Sequence, residues 1–171
     1  GLFTSGAYNR SPRDIPLLRR KVMRTVERAG FSPVGHDGKA LINILETFPR
    51  DELFQIDADE LYQISHGILH LEERQRIRLF LRRDDYARFF SCFIYVPRER
   101  YNTELRKRME AVLLKSLNGT SAEYTVQLSE AVMARIHFIV HTPYRTTDVA
   151  HADGDNVRGR RASWDPHQPV D

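Results

Sequence analysis

The chain has almost no cysteine, no apolar run of membrane length and none of the glycine motifs that cradle phosphates. A single cysteine, Cys92, in 171 residues excludes an internal disulfide and fits a reducing, cytoplasmic setting. No apolar run approaches the ~18–20 residues that span a bilayer, so no membrane partner is expected. The opening residues, GLFTSGAYNRSPRD, lack a basic stretch followed by an apolar one and do not read as a secretory signal. They also lack an initiator methionine, which reads as a piece cut from a longer chain. Gly35, Gly38, Gly154 and Gly159 fall in no G-x-G-x-x-G or P-loop pattern, and Ser91 and Ser129 have no G-x-S-x-G context. No catalytic and no cofactor-binding residue is assigned.

Charge is nearly balanced, with a net +3, yet it is unevenly spread. Arg10, Arg13, Arg19, Arg20, Lys21, Arg24 and Arg28 are accompanied locally only by Asp14 and Glu27. Such a helix can bind nucleic acid. No aromatic residues alternate with the basic ones, as single-strand binders require, so a solvated face with counter-charges elsewhere is the preferred reading.

Periodicity divides the chain into three parts: a helical segment over 1–75, a sheet module over 76–141, and a polar tail over 142–171 expected to be disordered. Residues 2–5 read as the end of a strand. Pro16 suits a helical first turn with Asp14 as N-cap, and Gly30 suits the stop. A second helix is expected over 38–48, capped by Asp37 and ended by Pro49. A third is announced by Asp57 and Glu60 in capping-box spacing.

The period then changes to two. Ile77, Leu79 and Leu81 alternate with Arg78, Phe80 and Arg82. After the Asp84-Asp85 turn, residues 89–96 are apolar on both faces, which marks a central strand. Asn102 and Thr103 open a helix whose buried stripe is Leu105, Met109, Val112, Leu113 and Leu117. Its surface pairs are Glu104 with Arg108 and Arg106 with Glu110. Alternation resumes at 123–128 and 135–141. The sum is α+β: a helical segment, then a ββαββ antiparallel sheet with a helix on one face, of ACT-like or ferredoxin-like type.

Few residues suggest chemistry. His66 and His70, four apart on one helix, could share a metal with Glu73 nearby, but no third ligand is fixed by spacing, so no metal site is assigned. His137 and His141 share a strand face about 13 Å apart at ~3.3 Å per residue, too far to chelate one ion. Cys92 reads as a small buried hydrophobe rather than a nucleophile. The N–H groups behind Asn102 and Thr103 form the one candidate effector site, against ordinary capping by the same residues.

Four collinear stretches carry a resemblance: PRDIPLLRRKVMRTVERAGF, HDGKALINILETFPRDELFQI, RLFLRRDDYARFFSCFIYVPRERYNTELRKRMEAVL and YTVQLSEAVMARIHFIV. Together they resemble the non-catalytic N-terminal, ACT-like region of the large bacterial NAD-specific glutamate dehydrogenases. The resemblance implies that the parent enzyme oxidatively deaminates L-glutamate to 2-oxoglutarate with NAD, and that its catalytic lysine and dinucleotide glycines lie in a later domain. It implies the remainder of the enzyme as partner, a homo-oligomer and an amino-acid effector. A stand-alone ACT-type amino-acid sensor or oligomerisation module is the alternative. Residues 142–171 depart from the family's pattern, where a further helix is expected.

Overall fold

The computed structural model describes residues 5–71, 76–128 and 132–143. Of the strand end expected over residues 2–5, Ser5 instead opens a helix and 2–4 lie outside them, as do Glu73 and Ser129. Of the tail expected over 142–171, Thr142 is tied to the carbonyls of Arg88 at 3.1 Å and Ala87 at 3.0 Å, and residues 144–171 lie outside them. A short helix α1 (Ser5–Asn9) and a 3₁₀ turn (Pro12–Asp14) lead into four helices: α2 (Pro16–Ala29), α3 (His36–Thr47), α4 (Arg50–Gln55) and α5 (Ala58–Leu69).

The starts and stops are local chemistry. Ser11, not Asp14, does the capping here, accepting the Arg13 N–H at 3.2 Å in the 3₁₀ turn. Asp14 is held in that turn, so Ile15 occupies the N-cap of α2 and Pro16 supplies the helical φ. Gly30 ends α2 in the left-handed region at φ 69°. Gly35 caps α3, which moves Asp37 from cap to first turn. Helix α4 was not foreseen. It is six residues long and begins directly after Pro49, too short to show a period. The Lys21 ammonium reaches back to its end, donating to the carbonyls of Leu53 at 2.7 Å and Ile56 at 2.5 Å. Asp57 caps α5 by accepting from the Asp59 and Glu60 N–H groups, both at 2.7 Å.

The sheet comprises β1 (Arg78–Arg83), β2 (Phe89–Pro97), β3 (Ser121–Gln127) and β4 (Met133–His141), with α6 (Thr103–Ser116) between β2 and β3. Its order is β1-β2-β4-β3 and every pairing is antiparallel. Strands β2 and β3 are therefore parallel, joined over α6, with β4 inserted between them. The β1–β2 turn is fixed by Asp84, whose carboxylate accepts from Arg88 Nε at 2.8 Å and Nη2 at 3.1 Å. Burial would raise the Asp84 pKa, but these bonds and the Arg88 charge prevail and hold it below its ordinary value.

Both faces of the sheet are covered. Leu105, Met109, Leu113 and Leu117 on and after α6 pack on Cys92, Ile94, Val96, Ile136, Phe138 and Val140. On the opposite face Phe93, Tyr95 and Met133 join one core with Leu18, Leu41, Leu45, Phe48 and Leu61. The helix expected on one face is α6, and α2–α5 form a second cover. Phe48 meets Phe93 at 4.9 Å between ring centroids, an aromatic contact whose truncation typically costs about 3–5 kcal/mol.

Two expected faces are redrawn. In β1 the apolar alternates point outward, with Leu79 38% and Leu81 40% exposed, while Arg82 on the other face is only 2% exposed. Strand β1 is an edge, so its α6-side residues extend past that helix. Along α6, Val112 is exposed and Arg106 is buried instead, its guanidinium 4.0 Å from the Tyr124 ring centroid and 2.6 Å from Glu110.

Candidate functional site

Because α2–α5 cover the β1–β2 half of their face most fully, a cleft of about 530 Å³ is left between α4 and the β4–β3 half. The wall from the helices is Pro49, Asp51, Glu52 and Gln55. Alternate residues of β4 (Arg135, His137, Ile139, His141) line the sheet side with Glu123, Thr125 and Gln127 of β3, as the pleat requires.

At its base lies a buried polar cluster. Glu52 Oε2 accepts from Arg82 Nε at 2.8 Å, with both side chains 2% exposed. Burial opposes the Arg82 charge, but the hydrogen bond and charge of Glu52, with Glu60 and Asp84 beyond, outweigh it and the net shift is upward. One guanidinium nitrogen, Arg82 Nη2, is buried without a hydrogen-bond partner. His137 Nε2 lies 2.8 Å from Ser91 Oγ and 4.0 Å from Glu52 Oε1, its ring stacked on Phe93 at 4.3 Å. Desolvation first, then the charges of Arg135 and Arg82, lower its pKa to about 4. At neutral pH it is an uncharged imidazole, and its contact with Glu52 is dipolar rather than ionic.

Further along, His141 Nε2 is 3.6 Å from Glu123, and Arg135 donates to the Thr47 carbonyl at 2.9 Å. Asp51 accepts from the Tyr8 hydroxyl at 2.8 Å. The cleft thus offers a guanidinium for a carboxylate, carboxylates for an ammonium, and neutral imidazole, amide and hydroxyl groups between them. It has the concavity and the few convergent polar groups of a ligand site.

The expected residues fall elsewhere. Asn102 caps α6, its Oδ1 accepting the Leu105 N–H at 2.8 Å, and Thr103 begins the helix as an exposed residue. His137 and His141 both line the cleft without meeting. Cys92 is fully buried on the α6 face, where burial, then Glu52, pushes its thiol up to about 12. No three His, Cys, Asp or Glu side chains converge among the described residues, and no helix among them is long and apolar enough to cross a membrane. Part of the basic cluster finds its counter-charges: Arg13 pairs with Glu46 at 3.5 Å, and Arg28 pairs with Asp59 and lies 4.5 Å from the Tyr62 ring centroid.

Glu52, Arg82 and His137 were missed as a group. Their signal was an arginine in an alternating apolar strand and a glutamate inside an apolar turn of helix, each of which implies a partner without naming it.

Two family models match the chain. One, described as the helical motif 1 of glutamate dehydrogenase, matches residues 15–74, and the other, described as its ACT2 domain, matches residues 78–164, so the departure from the family's pattern expected from residue 142 does not hold as far as residue 164. The chain is 51% identical over 140 residues to an NAD-specific glutamate dehydrogenase of Halomonas elongata, covering 82% of this chain and 9% of that protein. It is 46% identical over 167 residues to the one from Pseudomonas aeruginosa, 96% of this chain and 10% of that protein. Identity to the Mycobacterium tuberculosis protein of the same name is 36% over 143 residues, 84% of this chain and 9% of that protein. The chain therefore spans about a tenth of the length of these relatives.

Proposed function

The chain belongs to the glutamate dehydrogenase family as its helical motif 1 followed by its ACT2 domain, and on that premise we propose that it is a regulatory and structural portion of an NAD-dependent glutamate dehydrogenase. The parent reaction is the oxidative deamination of L-glutamate to 2-oxoglutarate with reduction of NAD, in the cytoplasm. This portion is not catalytic by itself. Its role is to hold the rest of the enzyme, within a homo-oligomer, and to sense an amino-acid effector. The carrying observation is the pair of contiguous matches inside relatives ten times longer. Its buried ionisable groups support the same reading, since Glu52 is spent on Arg82 and His137 is held neutral.

The cleft is the better effector seat than Asn102 and Thr103. Asn102 offers one oxygen, engaged by Leu105 at an exposed helix start, whereas the cleft gathers Arg135, Asp51 and Glu123 in one concavity, and a guanidinium and two carboxylates keep donors and acceptors beyond those used on Thr47, Tyr8 and His141. A ligand there would touch α4 and β4 together, so it would bias how the helices sit on the sheet.

The test uses the full-length dehydrogenase that carries this segment. Amino acids are titrated into the glutamate-dependent NADH assay with the native enzyme and with Arg135→Gln and Glu123→Gln. The expected result is basal activity retained and an effector response weakened in both variants. Unaltered responses in both would remove the cleft as the seat. Glutamate-dependent NADH production by the isolated 171-residue chain would refute the non-catalytic reading. The alternative, a stand-alone sensing or oligomerisation module, would gain if the isolated chain bound an amino acid while the full enzyme's activity ignored it.

A further inference from the structure

Outside the cleft, two imidazoles meet at the C-terminal end of α5. His66 lies in the last turn and His70 is the C-cap, so the four-residue spacing places both on one side of the helix. Their Nε2 atoms are 3.4 Å apart, with ring centroids at 4.5 Å and planes at 72°. The His66 ring is held in place, stacked with Phe31 at 6.3 Å and tilted against Tyr62 at 5.4 Å. His70 is exposed, so the convergence point can be reached from solvent.

A separation of 3.4 Å is long for a hydrogen bond donated by nitrogen, which clusters near 2.9–3.0 Å. It is the separation of two imidazole nitrogens on one tetrahedral ion, because two bonds of about 2.0–2.1 Å at a tetrahedral angle span roughly 3.3–3.4 Å. We propose that His66 and His70 form a bidentate site for a borderline transition-metal dication, zinc above all. Imidazole nitrogen suits zinc, copper and nickel, while calcium and magnesium select oxygen. No third protein ligand converges on the pair among the described residues, and two imidazoles leave further positions on the ion open to solvent. That separates this site from the closed three- and four-ligand centres that the spacing argued against. A bound ion would staple the last turn of α5 just ahead of the sheet.

The test is calorimetric titration of the untagged, metal-stripped 171-residue chain with zinc chloride. Native protein should bind zinc, and the control His36→Gln, at an exposed histidine elsewhere, should bind it equally well. His66→Gln and His70→Gln should each weaken it by more than the roughly 10–100-fold that loss of a mere outer partner of a ligand costs. Zinc should raise the melting temperature of the native chain and of His36→Gln, but not of His70→Gln. His70 is exposed, so its variant is expected to keep the native circular dichroism, and that spectrum separates lost binding from lost folding. Zinc affinity unchanged in His70→Gln, or equal binding of calcium, would overturn the assignment and leave the contact as a proton shared between two rings.

Discussion

Glu52 and Arg82, thirty residues apart in sequence, meet as a buried ion pair that ties α4 to β1. Neither charge can reach water when its partner is gone. Arg82→Met and Glu52→Gln are each expected to cost about 3–5 kcal/mol, measured by urea denaturation. Replacing both with apolar residues of similar volume should recover most of that loss. A double variant as unstable as either single one would place the energy outside the pair.

His137 makes stability depend on pH. Its folded pKa is about 4, below the unfolded value of ~6.5. Between those values the unfolded chain binds more protons, so stability is complete above about pH 6.5 and falls as pH drops toward 4. The groups facing the ring are Ser91, Glu52, Arg135 and Arg82. The shift corresponds to about 3 kcal/mol at most. Denaturation midpoints of native protein and His137→Gln, compared between pH 7 and 4.5, should diverge at high pH and converge at low pH. Parallel curves would refute the burial of a neutral imidazole.

Gly67 lets α5 approach β1. A Cβ added there would lie 2.5 Å from Phe80 Cε1 and 3.1 Å from its Cζ, and the Phe80 ring is braced edge-on against Tyr95. In an open helix, Gly→Ala would stabilise by about 1 kcal/mol. Here Gly67→Ala is expected to destabilise by about 1–3 kcal/mol through overpacking. A gain in melting temperature would mean that the ring yields freely.

Asn102→Ala should cost about 1 kcal/mol of stability by removing the α6 cap, and Asn102→Asp should restore it. Neither change should alter an amino-acid response of the full enzyme. Loss of that response with stability intact would return the effector seat to the start of α6.

Much of the fold was legible because it is local. Pro16, Gly30 and Asp57 mark helix ends through their own backbone preferences, and the two-sided apolar run of β2 announced a central strand. What was not legible depends on partners distant in sequence. Alternation in β1 gave two faces but could not say that Arg82 turns inward, since its reason is Glu52. Helix α4 is shorter than two turns and leaves no periodic trace. The cleft exists only where α4 stops short of β4 and β3, a relation between surfaces that no single stretch encodes.

The insertion of β4 between β2 and β3 has a bearing on biosynthesis. During synthesis β2 emerges with β1 as its sole available neighbour in the sheet, and its second ladder waits for a strand some 46 residues further on, as from Cys92 to Phe138. The helices made earlier can already shelter Phe93 and Tyr95 on one side. Cys92, Ile94 and Val96, on the other side, depend on α6 and β4. A ribosome paused before the last strand would therefore present a half-clad sheet with an open edge, the form most prone to pair with a neighbouring nascent chain.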